Sequence, residues 1–290
     1  MQKIFIAGCG YIGGRVARLY RDSGAEVTCM LRSPELVSTL SGEGFSAVAC
    51  SLDKAEEIPS LDTAGSMLHY LVPPPGGGIA DTRARNFIAA LSRVQKPSKI
   101  IYVSATSVYS EISGGIVTEE SETIPSSAMG KRRLDAENAF LQYGSATGTP
   151  VVILRVSGIY GPGRLPLMQI SQGQALLKEE ESGPSNRIHA DDLATVCLAA
   201  AESGEAGEIF NVSDGHPTSM TSYFNACADA LKMPRQPQVP LDEARLVMSP
   251  LMFSYVSESR VIDNSRMLKR LKINLRYPDI QTGLASCLPD

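Results

Sequence analysis

Residues 3–14 read Lys-Ile-Phe-Ile-Ala-Gly-Cys-Gly-Tyr-Ile-Gly-Gly, a short apolar run that breaks into Gly8-x-Gly10-x-x-Gly13. Ile12, Val16 and Leu19 then recur at helical spacing, with Arg15, Arg18 and Arg21 on other faces and Gly24 placed to stop the helix. A second apolar run follows at 26–31, EVTCML. The order is strand, tight turn, helix, strand, and a helical crossover makes the two strands parallel. Each glycine has its own task in that turn. Gly8 permits the sharp bend, Gly10 lets the backbone approach a diphosphate, and Gly13 lets the helix pack close to the strand. The unpaired N–H groups and positive dipole of the helix N-terminus face the same point. The segment therefore predicts a phosphate cradle for a dinucleotide, not a bare glycine-rich turn.

Outward from that cradle the alternation continues. Strands are predicted at 45–50 (FSAVAC) and 66–72, followed by the loop PPPGGG at 73–78. A helix at about 82–95 carries Phe87, Ile88, Leu91 and Val94. A strand at 99–104 leads into a long polar loop, a helix spans about 127–142, and a strand follows at 150–156. This is the pattern of an α/β protein with a doubly wound, Rossmann-type parallel sheet. After Gly158 the turn-rich stretch GIYGPGRLP at 158–166 breaks the rhythm. A helix at 191–203 and a strand at 208–213 return to the sheet, and the rest reads as mainly helical with Pro-rich connections at 234–240. The expected organisation is a dinucleotide-binding domain over 1–160, completed by about 188–213. A smaller, mostly helical C-terminal substrate lobe would come from 161–187 and 214–290.

Composition excludes several classes. The chain has 290 residues, 43% hydrophobic and 20% charged, with a net charge of 27 − 31 = −4. That weak acidity gives no electrostatic reason for nucleic-acid or membrane binding. No apolar run reaches the roughly 18 residues of a membrane span, and the N-terminus enters a core strand with no secretory pattern, so a cytoplasmic protein is expected. Cys9, Cys29, Cys50, Cys197, Cys227 and Cys287 are scattered without C-x-x-C spacing and read as free thiols, with no metal site.

The tip of the second strand usually selects the dinucleotide. It reads Leu31-Arg32-Ser33, with no acidic residue to bind a ribose 2′-hydroxyl. A guanidinium there suits a 2′-phosphate, so NADP is expected over NAD.

Four segments occur in one order: GCGYIGG, VSATSVYS at 103–110, LRVSGIYGPGR at 154–164 and IHADDLA at 188–194. Together they resemble the extended short-chain dehydrogenase/reductases, the NAD(P)-dependent epimerase/dehydratase family. The likeness runs from residue 3 to about 215, and more weakly to NSRMLKRLKINLRYPDIQTGL near the end. It implies a cofactor site that adds Tyr11, Ile12, Leu52, Leu71, Val72, Pro73, Ser104, Ser157 and Gly158 to the glycines, Arg32 and Ser33. It also implies a catalytic Ser or Thr, a Tyr acid/base, and a Lys that lowers the phenol's pKa and holds the nicotinamide ribose.

Carried over, Lys131 matches that Lys. Ser127 stands where the Tyr is expected and Ala105 where the Ser or Thr is expected, four residues before Tyr109. The chain thus resembles a branch without the usual catalytic Tyr. Substitute hydroxyls are Thr106, Ser107, Ser126, Ser127 and, less directly, Tyr109. His189, Asp191 and Asp192 resemble a segment shaping the substrate side, although an Asp there also caps a helix. Arg164, Asn186 and Arg187 are candidates to meet an anionic substrate, and the loop PPPGGG is a candidate hinge. Two functions stay open. One is an NAD(P)-dependent oxidoreductase or epimerase/dehydratase acting on a small carbonyl or hydroxyl metabolite, a nucleotide sugar among the candidates. The other is a non-catalytic NAD(P)-binding sensor. A monomer or a homodimer is expected.

Overall fold

Strand β1, Lys3–Ala7, is buried beyond its first residue, as a parallel strand covered on both faces must be. The computed structural model to which it belongs describes residues 1–249, 252–253, 256 and 258–288. After β1 come helix α1 (Tyr11–Asp22), β2 (Glu26–Leu31), α2 (Pro34–Gly42), β3 (Ser46–Ala49) and β4 (Met67–Tyr70). Then follow α3 (Thr82–Leu91), β5 (Lys99–Ala105), β6 (Ser113–Val117), α4 (Ala128–Thr147), β7 (Val151–Val156) and, further on, the short α5 (Leu167–Ser171). The main sheet has seven strands among the described residues. Its order is β12-β7-β5-β4-β1-β2-β3, where β12 is Ile209–Val212, and every neighbouring pair is parallel. This is the doubly wound, Rossmann-type arrangement that the sequence predicts.

The sheet's two faces carry separate cores. Val16 and Tyr20 of α1, Leu40 of α2, and Leu193 and Cys197 of α6 (Ala190–Ser203) cover one face. Phe87 and Leu91 of α3 and Phe140 and Tyr143 of α4 cover the other. The chain leaves β1 toward β2 on one side and toward β4 on the other, so the carboxyl ends of β1 and β4 flank a crevice. Ala7 stands level with Met30 of β2 and Tyr70 of β4, which brings all three strand ends to one rim.

Several elements differ from expectation. Helix α3 stops at Leu91 because the Arg93 and Val94 amides bond three residues back, to Ala90 and Leu91, in a tightened last turn. Helix α4 continues to Thr147 and ends at Gly148, whose φ of +70° gives the left-handed cap. The polar loop after β5 contains β6, which pairs with β15 (Ser259–Ile262) from the far end of the chain. Such a pairing is non-local and leaves no periodic mark in either segment.

Beyond the sheet the chain is not purely helical. Short strand pairs join β8 (Gly158–Tyr160) to β11 (Arg187–His189), β9 (Leu176–Leu177) to β14 (Gln238–Val239) and β10 (Pro184–Ser185) to β13 (Thr218–Ser219). A third apolar cluster, with Tyr160, Tyr223, Phe224 and Leu284, packs among them. Cys9, Cys29, Cys197 and Cys227 are buried, Cys50 and Cys287 half-buried, and all six are free thiols. No helix of the described residues is long and apolar enough to cross a membrane.

Candidate active site

The glycine turn is built as the sequence requires. Gly8 has φ +90°, and a β-carbon there would lie 2.8 Å from the Val72 amide nitrogen. A β-carbon on Gly13 would lie 2.6 Å from the Gly8 carbonyl oxygen. Both positions therefore exclude a side chain for internal reasons. Gly10 differs: nothing lies within 4 Å of where its β-carbon would stand, so open space faces it. The Gly8 and Cys9 amides both donate to the Met30 carbonyl, at 2.8 and 3.1 Å, tying the turn to β2. Helix α1 begins there with no side-chain cap and no acidic residue in its first turn. Free N–H groups, a positive dipole and clear space fit an anionic diphosphate.

From this cradle a cleft of about 550 Å³ runs along the strand ends. One end is lined by Arg32, Ser33, Leu36, Leu52 and Asp53. Arg32 makes no ion pair among the described residues, whereas Asp53 is taken by Arg83 at 2.6 Å. Ser33 caps α2 by accepting from the Leu36 amide. Leu71, Val72 and Pro73 line the middle, together with Tyr11 and Ile12. The far end is lined by Val103, Ser104, Ala105, Arg133, Val156, Ser157 and Arg164.

A second cavity, of about 860 Å³, opens from that far end and shares Ala105, Val156, Ser157, Ile159 and Arg164 with the first. Thr106, Ser107, Ser127, Gly158, Asn186 and Arg187 from the expected set line it, beside Met129, Arg132, Tyr223 and Arg260. Arg187 is buried against the Tyr223 ring, 4.3 Å from its centroid, and donates to the Asn186 carbonyl at 2.9 Å. No carboxylate among the described residues forms an ion pair with it, and burial pushes its pKa down. Arg260 holds the Thr106 carbonyl at 2.8 Å and pairs with Glu258 at 3.0 Å. Thus the second cavity is cationic, with at least one guanidinium left unneutralised.

The expected catalytic residues separate. Thr106 and Ser107 line the second cavity, and the buried Ser107 hydroxyl has no hydrogen-bond partner. The Ser157 hydroxyl, where the two spaces meet, is likewise buried and unpartnered. Ser127 is the N-cap of α4 and accepts from the Gly130 amide at 3.2 Å, while Ser126 is exposed outside both spaces.

Lys131, in contrast to its expected place at the nicotinamide ribose, is exposed and lines neither space. The physical reason is helical phase: α4 presents Met129 and Arg133, four residues apart, and turns position 131 away. Tyr109 is also outside both spaces. It is fully buried, donates to Asn211 Oδ1 at 2.6 Å and lies under the Arg155 guanidinium. Ser104 reaches the first cleft but donates its hydroxyl to buried Glu137 at 2.6 Å.

His189, Asp191 and Asp192 line neither space. His189 caps α6 and lies tilted against Tyr277, with ring centroids 3.9 Å apart. Asp191 pairs with Arg15 at 2.8 Å, and Asp192 accepts the Arg276 and Tyr277 amides at 2.8 and 2.9 Å. His189 and Asp192 hold the C-terminal segment against α6, and Asp191 ties α6 to α1. The PPPGGG loop is tied to α4 by Arg132, which donates to the Gly78 carbonyl at 2.8 Å. No group of three or more metal-ligating side chains exists among the described residues. Sequence reading missed Met129, Arg132, Arg133, Tyr223 and Arg260; a helical wheel over 127–142 carried the signal for the first three.

Residues 81–213 match the family model of the NAD dependent epimerase/dehydratase family. The chain is 24% identical to Protein YeeZ of Escherichia coli, over 96% of this chain and 97% of that protein. A functionally unknown conserved protein from Silicibacter pomeroyi has the same fold at TM-score 0.83 and 26% identity, covering 98% of this chain and 97% of that one. UDP-glucuronic acid 4-epimerase from Bacillus cereus, solved in complex with NAD, superposes at TM-score 0.75 with 19% identity, covering 98% and 97% of the two chains, and so shares the architecture. Residues 81–213 thus resemble the NAD dependent epimerase/dehydratase family, and the doubly wound sheet around them is an architecture shared with the epimerase from Bacillus cereus.

Proposed function

We propose that the chain is an NAD(P)-dependent enzyme of epimerase/dehydratase or reductase type, acting on a carbonyl or hydroxyl of a small anionic metabolite. A nucleotide sugar is the class that fits best. The observation that carries this reading is the meeting of two spaces at Ser157 and Arg164. One is a cleft of about 550 Å³ over the glycine turn, and the other is a cationic cavity of about 860 Å³, large enough for a second ligand. A substrate in the second would present its reacting oxygen where the first ends.

Gly8, Gly10, Gly13 and the start of α1 would take the diphosphate. Leu52, Leu71, Val72 and Pro73 would bound the adenosine side, and Arg32 with Ser33 would hold a 2′-phosphate, favouring NADP over NAD. The bound dinucleotide supplies hydride donation or acceptance at its nicotinamide. Ser104 and Ser157 bound that end of the cleft, and Gly158 lines the adjoining second cavity. Arg164, Arg187 and Arg260 would bind substrate anionic groups, and the Thr106, Ser107 and Ser127 hydroxyls would orient a substrate oxygen. The lobe built from 161–187 and 214–249 with 258–288 would be the substrate side. The test is incubation with NADPH or NADP⁺ and a panel of nucleotide sugars and small carbonyl compounds, followed at 340 nm and by product analysis.

A second reading rests on the places of Tyr109 and Lys131, neither of which lines the junction. It makes the protein a dinucleotide-binding sensor. Tight dinucleotide binding with no turnover across the panel would favour it over the enzyme.

A further inference from the structure

We infer that Arg133, not Lys131, is the cation that α4 supplies to the dinucleotide, and that it holds the half of the ligand remote from Arg32. This rests on reading the first cleft as a dinucleotide site, and it names a residue that motif matching passes over.

Helical phase comes first. Gly130 sits against the Ser107 carbonyl with no room for a β-carbon, and that β-carbon would also lie 2.7 Å from Pro125 Cβ. The Ser127 cap fixes the same turn through the Gly130 amide at 3.2 Å. Further along, Ala136, Glu137 and Phe140 are buried, so the inward stripe runs 130, 133, 137, 140. At 3.6 residues per turn, position 131 lies about 200° from position 133. Lys131 therefore cannot enter the cleft without breaking the Gly130–Ser107 contact.

Position along the cleft comes second. Arg133 Nη1 donates to the Val103 carbonyl on β5 at 3.0 Å. Arg32 stands off the end of β2. The strand order β2-β1-β4-β5 separates the two by three strand spacings, on the order of 14 Å, a span that a dinucleotide bridges. The two cations thus mark opposite ends.

Available chemistry comes third. Among the described residues no carboxylate forms an ion pair with Arg133; one of its five N–H donors goes to the Val103 carbonyl, and the guanidinium also faces the buried Tyr102 hydroxyl. The remaining donors form a planar, permanently charged fork able to grip a phosphate or a ribose diol. Four residues before it stands Met129, which has no proton to give. Arg133 is thus a binding residue that acts without a phenol partner.

The test is calorimetric titration of the full chain with NADP⁺ or NAD⁺, whichever the wild type binds more tightly. The matched ligand lacking the nicotinamide half is adenosine 2′,5′-bisphosphate or ADP. Arg133→Gln is expected to weaken the dinucleotide about tenfold or more while leaving the adenosine fragment unchanged. Arg133→Lys should recover most of the loss, and Lys131→Gln should alter neither ligand. Equal weakening of both ligands by Arg133→Gln, no weakening of either, or the selective loss appearing in Lys131→Gln overturns this assignment alone. A wild-type chain that binds neither ligand overturns the dinucleotide reading and this assignment with it.

Discussion

Arg155 on β7 and Glu137 on α4 form an ion pair at 2.9 Å with both side chains almost entirely removed from solvent. Ser104 donates to the same carboxylate, and the Arg155 guanidinium lies 4.8 Å from the Tyr109 ring centroid. The pair anchors the helix that lines the two spaces to β7, the second strand from one edge of the sheet. Removing one partner leaves the other charge buried and alone. Glu137→Leu and Arg155→Met are each expected to cost about 3–5 kcal/mol in urea denaturation. The double replacement should recover much of that loss, because an apolar pair needs no desolvation of charge. Strictly additive losses would count against a coupled pair.

Gly8 and Gly10 are expected to fail in different ways. Gly8→Ala forces a side chain onto a φ of +90° and against the Val72 backbone, so stability falls along with binding. Gly10→Ala meets open space, so its melting temperature should stay close to wild type while dinucleotide binding weakens at least tenfold. Thermal melts paired with titrations separate the two. Retained binding in Gly10→Ala would mean that the space above Gly10 is not where the diphosphate lies.

Arg32 should control the choice between dinucleotides. Among the described residues it forms no ion pair, the nearby Asp53 being held by Arg83, so its guanidinium is available to a 2′-phosphate. Arg32→Ala is expected to weaken NADPH about tenfold or more and NADH little. Fluorescence titration of both reduced forms measures the ratio. Tighter NADH than NADPH binding in the wild type, unchanged by the substitution, would rule out the phosphate role.

Asp214 should give stability an unusual pH dependence. Burial pushes its carboxyl up to about 7, against the pull of the His216 amide and the Arg187 charge. Between the ordinary value of 3.8 and about 7 the folded chain therefore holds a proton that the unfolded chain has released. This group's stabilising contribution is full below about pH 4, declines through that window and is lost above pH 7. Asp214→Asn can still accept from the His216 amide. It should melt a few degrees above wild type at pH 8, with the gap closing toward pH 5. An equal gap at both pH values would mean that the carboxyl is ionised throughout.

How much was legible follows from range. Gly8, Gly10 and Gly13 announced the cradle because their task is settled within a dozen residues, by backbone angles and close approach. The strands of the main sheet were legible because a parallel strand buried on both faces must be an apolar run. The boundaries of α3 and α4 moved by a few residues because end turns respond to their surroundings. The β6–β15 pairing joins segments more than 140 residues apart and had no local sign.

The catalytic side was the least legible part. Family spacing put Lys131 in the site, yet the phase of α4 is set by the close contact of Gly130 with Ser107, which brings in Arg133 instead. Tyr109, Asp191, Asp192 and His189 carry chemistry-bearing groups, but their partners Asn211, Arg15, Arg276 and Tyr277 lie far along the chain and engage them structurally. The sequence by itself determined the glycine turn and the parallel sheet, because local backbone demands and hydrophobic patterning specify them, and its family resemblance marked Ser127 as standing where a tyrosine is expected. Only the tertiary structure decided which cations face the two spaces and which hydroxyls are left unpartnered there. Those outcomes depend on helix rotation and on long-range pairing, which a one-dimensional pattern does not encode.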